Sequence, residues 1–117
     1  CSNDSVALGV TNSLEANYTG TWPIITGQDC EKKKKKNMIA GKQSMSIFKD
    51  TRTLASKVVE MVDAIIEGRE APVNDTTTYN NGIIVVPSYL CEPVFADKDN
   101  YKELLVESGY YTEEQLQ

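Results

Sequence analysis

The chain has 117 residues, 40% of them hydrophobic and 25% charged, and a formal net charge of −5. This length and composition fit one globular unit with a modest core and exclude a largely disordered chain. Five of the twelve basic residues lie in the run 32–36, so the rest of the chain carries seven basic against seventeen acidic residues. An acidic surface argues against a general nucleic-acid-binding protein.

The residue types also restrict the chemistry. There is no histidine, which removes the commonest general base and metal ligand. The three cysteines are odd in number and lack CxxC spacing: Cys1, Cys30 and Cys91. We therefore expect free thiols, no metal site, no disulfide framework and no cofactor. No apolar run approaches the length of a membrane span.

The first predicted element is a helix from Asp4 to about Ala16, with Asp4 as its cap. Its apolar residues recur at helical spacing and are predicted to form one buried face: Val6, Ala7, Val10 and Leu14. A strand is predicted over residues 22–26.

A candidate ligand-binding acid follows that strand. Asp29 lies in the turn between the strand and a helix predicted over residues 31–40, with Gly41 as its C-terminal cap. An acid just before a helix is most often an N-cap that accepts from free amides. In an α/β protein, however, ligands collect at the carboxyl ends of parallel strands. Asp29 is therefore either a helix cap or a double acceptor for two hydroxyls of a polar ligand.

The lysine run 32–36 occupies the first two turns of this predicted helix. It offers no apolar residue for packing, and positive charge near a helix N-terminus is unfavourable. Three interpretations compete: a solvated charge run, a site for an anionic partner, or a segment that is engineered or not reliably identified. We favour the last, because no aromatic or arginine residue interleaves the run.

A second strand is predicted over residues 43–48, where Met45 and Ile47 alternate with serines. Lys49 stands at its carboxyl end, the same kind of position as that of Asp29, although an ordinary exposed lysine is the alternative. Asp50 or Thr51 is predicted to cap a helix that ends near residues 67–68. The apolar stripe of that helix is predicted to be core: Leu54, Val58, Met61, Val62 and Ile65.

The remaining elements follow a polar connection over residues 70–81. Residues 83–86 are predicted to form a buried strand, and residues 94–95 a second extended piece. Asp97 is predicted to cap a final helix through Glu107, with Gly109 beyond its end. The alternation of helices and strands predicts an α/β fold with mostly parallel strands. Because it opens on a helix, we expect the chain to be a piece of a longer protein.

Three stretches carry a resemblance to a known family: residues 2–9, 44–50 and 81–101. Asn-Asp, Gly-Gln-Asp and Phe-Lys-Asp, in this order and spacing, resemble the sugar-binding proteins of bacterial ABC transporters, above all the multiple-sugar and D-xylose-binding proteins. The resemblance implies part of a type I periplasmic-binding-protein fold, with two lobes of parallel sheets flanked by helices and a chain that crosses between them. Residues 1–49 would belong to the C-terminal lobe, 50–85 would complete the N-terminal lobe, and 86–117 would return to the C-terminal lobe.

The resemblance also implies three sugar-binding residues. Asn3 matches an asparagine that pairs with sugar hydroxyls, Asp29 an aspartate that accepts from them, and Lys49 the residue after the Ser-Ile-Phe strand. An amide, a carboxylate and an ammonium group suit vicinal hydroxyls, which donate and accept together. No catalytic or metal-binding residue is implied.

The function implied is that of a solute-binding protein that captures a monosaccharide of the xylose, glucose or galactose type and delivers it to a membrane permease. Its partners would be the sugar, the permease and the remaining N-terminal part of the same protein, with no nucleic acid. Its location would be periplasmic or extracellular, and its start at Cys1 is also typical of a lipid-anchored mature lipoprotein. The alternative is the sugar-sensing effector domain of a transcription regulator. An enzyme with Asp29 and Lys49 as an acid–base pair lacks any supporting motif.

Overall fold

The computed structural model describes residues 1–32 and 35–116, and the chain divides into two compact units. The first unit comprises Cys1–Phe48 with Pro93–Gln117, and the second comprises Lys49–Glu92. The assignment of residues 1–49, 50–85 and 86–117 to two lobes stays a prediction. The helices and strands, in chain order, are α1 (Asp4–Asn17), β1 (Thr26–Gln28), α2 (Lys35–Ile39), β2 (Met45–Phe48), α3 (Thr51–Ile66) and β3 (Val94–Ala96).

The sheet of the first unit is mixed, with strand order β1-β2-β3. Strands β1 and β2 are parallel, with Gln28 opposite Ile47, whereas β2 and β3 are antiparallel. The predicted α/β class is confirmed, but the sheet is not wholly parallel. Strand β1 also begins later than predicted, because the segment before it bonds to the loop before β2: the indole of Trp22 donates to the carbonyl of Lys42 at 2.9 Å.

Helix α1 is capped by Asn3 and not, as predicted, by Asp4. Asn3 has extended backbone angles, and its Oδ1 accepts from the amide of Val6 at 2.9 Å. Asp4 lies inside the first turn and is buried. The buried face of α1 consists of Asp4, Ala7 and Thr11, while Val6 and Val10 of the predicted face are exposed. The apolar spacing was therefore a misleading guide to the buried side of this helix.

Helix α2 is shorter than predicted, and residues 33 and 34 of the lysine run lie outside the described residues. Gly41 ends α2 in the left-handed region, at φ 71°, as predicted. The ammonium group of Lys32 lies 5.1 Å from the ring centroid of Tyr111, a cation–π contact that no interpretation of the run anticipated.

The core of the first unit is built where the sheet meets the C-terminal segment. Asp97 accepts from two amides of the turn that follows it, but it does not cap the final helix as predicted: that helix is a π-helix over Lys102–Glu107 with Tyr101 at its N-cap. Phe48 packs edge-on against Tyr110, with ring centroids 4.8 Å apart. The buried core residues are Cys30, Phe48, Ala96, Leu105 and Leu116.

The second unit contradicts two expectations about burial. The apolar stripe of α3, predicted to be core, is largely exposed: Val58 is 58% and Ile65 64% exposed. Residues 83–86, predicted to form a buried strand, contain only a single bridge, between Val85 and Asn80, and Ile83 is 89% exposed. The physical reason is that no β-strand lies within this unit to pair with or cover these residues.

The predicted cap of α3 is confirmed and supports a stability prediction. Asp50 Oδ1 accepts from the amide of Arg52 at 2.9 Å, and the Arg52 guanidinium also bonds to this carboxylate. We expect Asp50→Ala to lower the free energy of unfolding by about 1 kcal/mol at pH 7, because the cap is lost. Asp50→Asn, which keeps a capping oxygen, should lose less.

The pH dependence of the stability distinguishes the hydrogen-bonding role of Asp50 as a cap from the effect of its charge. The hydrogen bond from Arg52 lowers the pKa of Asp50. The stabilisation therefore exists above the carboxyl's unfolded pKa and disappears as the pH falls through the lower folded value. Urea unfolding followed by circular dichroism should show the difference between the parent and Asp50→Asn shrinking as the medium is acidified. A constant difference would contradict the role of the charge.

Candidate functional site

Asp29 lies in an unusual turn directly after β1. Its side chain is exposed, and its φ of 87° falls in the left-handed region, as does the φ of 48° at Cys30. Two consecutive non-glycine residues in this region are disfavoured unless the surrounding structure holds them. Because Lys35 is well beyond this turn, Asp29 does not stand at the N-cap position of α2.

Three successive backbone amides hold the turn to two neighbouring elements. Two of the three acceptors belong to β2, and the third belongs to α1. The bonds run from Asp29 N to Ile47 O (2.8 Å), from Cys30 N to Ser46 Oγ (3.1 Å) and from Glu31 N to Asp4 Oδ2 (3.0 Å). The backbone at Asp29 is therefore fixed, although the residue itself is exposed.

A buried polar cluster lies beneath the turn. Asp4, Gln43 and Ser46 are 2–3% exposed, and Asp4 Oδ1 accepts from Gln43 Nε2 at 2.8 Å and from Ser46 Oγ at 2.7 Å. Gly27 of β1 passes close above them, and a Cβ there would collide with Asp4 and Gln43. The cavity beside the cluster has a volume of about 10 Å³, room for one water and not for a sugar.

Asn3 lies beside the same turn. Its neighbour Ser2 accepts through its carbonyl from the Gln28 side chain at 3.3 Å, and its other neighbour, Asp4, bonds to Glu31. Gln28 and Glu31 flank the Asp29–Cys30 pair, so the structure brings the start of α1 to the edge of the sheet where Asp29 lies. Because capping uses Oδ1 of Asn3, the Nδ2 donor is the part of the amide suited to a ligand oxygen.

Lys49 follows β2 directly and is half-buried. It is the first residue of the second unit, whereas Asn3 and Asp29 belong to the first. Asp29 and Lys49 thus each follow the carboxyl end of one of two adjacent parallel strands, as the sequence predicted.

Comparison with known proteins finds relatives that bind sugars. No protein-family model matches the chain. It is 50% identical to the multiple sugar-binding periplasmic receptor ChvE of Rhizobium radiobacter and 49% identical to the multiple sugar-binding periplasmic protein SbpA of Azospirillum brasilense, over 97% of this chain in both cases. An ABC transporter solute-binding protein from Clostridium phytofermentans, solved with bound β-D-glucose, superposes with a TM-score of 0.92 and 73% identity over 98% of this chain. Nearly the whole chain matches a portion of the periplasmic sugar-binding proteins of ABC transporters.

The match covers only part of each relative. The chain spans about a third of their length: 33% of ChvE, 32% of SbpA and 36% of the Clostridium phytofermentans protein. The family resemblance seen in the sequence is confirmed. These sugar-binding relatives are named as a receptor or binding proteins, not as enzymes or transcription regulators, which agrees with the expectation of a binding module.

Sequence reasoning missed the buried cluster. In the alternating strand β2, Ser46 and Phe48 are the buried pair, whereas Met45 and Ile47 are only partly buried. A serine in a strand and an aspartate in a helix's first turn give little sign of burial by themselves. Gly27, a residue without a side chain at the end of an apolar segment, was the available signal of a close approach.

Burial raises the pKa of the Cys30 thiol to about 11, against an opposing hydrogen bond with Ser46, so Cys30 is protonated and unreactive at neutral pH.

Residues 1–32 and 35–116 contain no cluster of three or more potential metal ligands. Within those same ranges, the helices are all too short or too polar to cross a membrane.

Proposed function

We propose that this chain is part of the solute-binding component of an ABC sugar transporter, which binds a monosaccharide of the xylose, glucose or galactose type and delivers it to a membrane permease. The observation that carries the proposal is the 73% identity, with a TM-score of 0.92, to a solute-binding protein solved with β-D-glucose. The periplasmic names of ChvE and SbpA support a periplasmic location. The lipid anchor at Cys1 stays a prediction.

The proposed sugar contacts are Asn3, Asp29 and Lys49. Asp29 supports the proposal best, because its fixed backbone and exposed carboxylate suit a double acceptor for two sugar hydroxyls. Asn3 would donate through Nδ2, and Lys49 would donate to a ring or hydroxyl oxygen through its ammonium group. Preorganised groups of this kind bind without a large ordering cost.

We further propose that the remaining N-terminal part of the protein covers the apolar surface of the second unit. The exposed residues on α3 and in the 83–86 segment would otherwise leave a large apolar patch in water, which is typical of a buried interface. The most exposed of them are Val58, Val59, Ile65, Ile66, Ile83 and Ile84. The partner segment therefore needs a matching apolar face.

The test is calorimetric titration of the full-length natural protein that contains this sequence against xylose, glucose, galactose and arabinose. We expect micromolar or tighter binding of at least one of them. Mannitol, which carries hydroxyls but no sugar ring, is the control and should give no heat of binding. Absence of binding to all four sugars, with no rise in melting temperature, would contradict the proposed function.

A further inference from the structure

We propose that Asp4 is a positioning residue for the Asp29 turn and thereby for sugar binding, an inference that rests on the proposed function. The buried carboxylate of Asp4 joins the start of α1, β2 and the residue that ends the turn. Asp4 is only 3% exposed, so it is too buried to bind a ligand from the solvent directly. It acts through the backbone that carries Asp29.

The two oxygens of the Asp4 carboxylate accept from different donors. Oδ2 accepts from the amide of Glu31, the first residue after the two left-handed residues. Oδ1 accepts from the Ser46 hydroxyl, whose oxygen in turn accepts from the amide of Cys30. One buried charge thus holds two successive amides of the turn, one directly and one through Ser46.

These bonds maintain a left-handed backbone conformation that is energetically unfavourable. A non-glycine residue in the left-handed region is disfavoured by about 1 kcal/mol or more. Asp29 and Cys30 both adopt it, so the turn needs external bonds to persist. Charge-assisted hydrogen bonds to a buried carboxylate are among the stronger ones available to a backbone amide.

Asp4 also directly follows Asn3 in the chain. Asn3 caps α1, and Asp4 is the first residue of that helix. The same carboxylate that holds the Asp29 turn therefore fixes the start of α1 against it. Displacement of Asp4 would move two of the proposed sugar contacts relative to each other, whereas an ordinary core defect would move neither.

The experiment compares variants of the full-length protein at 25 °C, all below their melting temperatures. Asp4→Asn keeps the size of the side chain but replaces one carboxylate oxygen with an NH2 group. That group is a donor and cannot accept the hydrogen bonds that the lost oxygen accepted. Ser46→Ala removes the bridge to Cys30 and serves if Asp4→Asn does not fold. Thr11→Ala is the matched control, because Thr11 is a fully buried polar residue of α1 whose hydroxyl donates within its own helix, to the carbonyl of Ala7.

We expect Asp4→Asn and Ser46→Ala to weaken glucose binding at least about tenfold, while Thr11→Ala lowers the melting temperature and leaves the dissociation constant within about twofold. In an Asp29→Asn background, the effect of Asp4→Asn on the dissociation constant should be smaller, since part of the effect of Asp4 passes through the Asp29 contact. Equal affinity losses for all three single variants, or additive effects in the double variant, would overturn the positioning role.

Amide hydrogen exchange separates this inference from the proposed function. The amides of Cys30 and Glu31 should exchange at least about tenfold faster in Asp4→Asn than in the parent or in Thr11→Ala, with or without sugar. If the parent binds no sugar, the proposed function fails, and the exchange of these two amides alone decides whether Asp4 holds the turn. Unchanged exchange would overturn the inference even if sugar binds.

Discussion

Asp29→Gly should weaken sugar binding about 100-fold or more while leaving the protein as stable as the parent, or more so. The variant removes the carboxylate and, with it, the two proposed charge-assisted hydrogen bonds to sugar hydroxyls. The backbone, in contrast, should be relieved, because glycine adopts a φ of 87° at no steric cost. Calorimetric titration with glucose and thermal unfolding of the same samples measure the two effects.

The opposite signs of the two changes make this variant informative. Asp29→Asn is its partner, since asparagine also tolerates the left-handed region but removes the charge. We expect an intermediate loss of affinity from it and almost no change in melting temperature. A dissociation constant within about threefold of the parent in both variants would show that Asp29 does not contact the sugar.

Gly27→Ala should be the most destabilising small substitution in the first unit. The new methyl group would collide with the Asp4 carboxylate and the Gln43 amide, both of which are buried and bonded to each other. Making room for it must separate a buried charge from its donors, and we expect a loss of about 3 kcal/mol in the free energy of unfolding. Urea denaturation measures this loss.

The chain contains a matched control for this substitution. Gly9 lies in the middle of α1, and a Cβ there meets nothing within 4 Å. Gly9→Ala should therefore stabilise the protein by about 0.5–1 kcal/mol, because alanine is the better helix former. If the two substitutions changed stability in the same direction and by the same amount, the close approach of β1 to the buried cluster would not be the cause.

The sequence predicted the elements of the fold well where local chemistry decides them. The cap at Asp50 and the glycine terminator at Gly41 depend on short-range geometry, and both are confirmed. The candidate residue Asp29 was found because it follows a strand in the order that the family shares. Signals of this kind depend on residues close together in the chain, so the sequence alone displays them.

Burial was predicted poorly, for reasons that lie outside local patterns. The stripe on α3 has the spacing of a core face, yet Val58 and Ile65 are exposed because the second unit contains no sheet to cover them. Asp4 was predicted as a cap because helix caps are commonly acidic, whereas it is a buried acceptor for groups far away in sequence. Contacts across this separation leave no periodic signature in the chain.

The turn at Asp29 also has a consequence for the order of folding. Its three amides bond to acceptors in two other elements, and the bonds of its buried network join residues 16, 27 and 42 positions apart. Such a turn cannot form early, because contacts between residues far apart in sequence must first overcome the entropy cost of closing the intervening loop. The Asp29 turn should therefore assemble only after α1 and β2 have met. A ligand that requires this turn would recognise only chains in which these two elements are in place, and so would select them over less folded molecules.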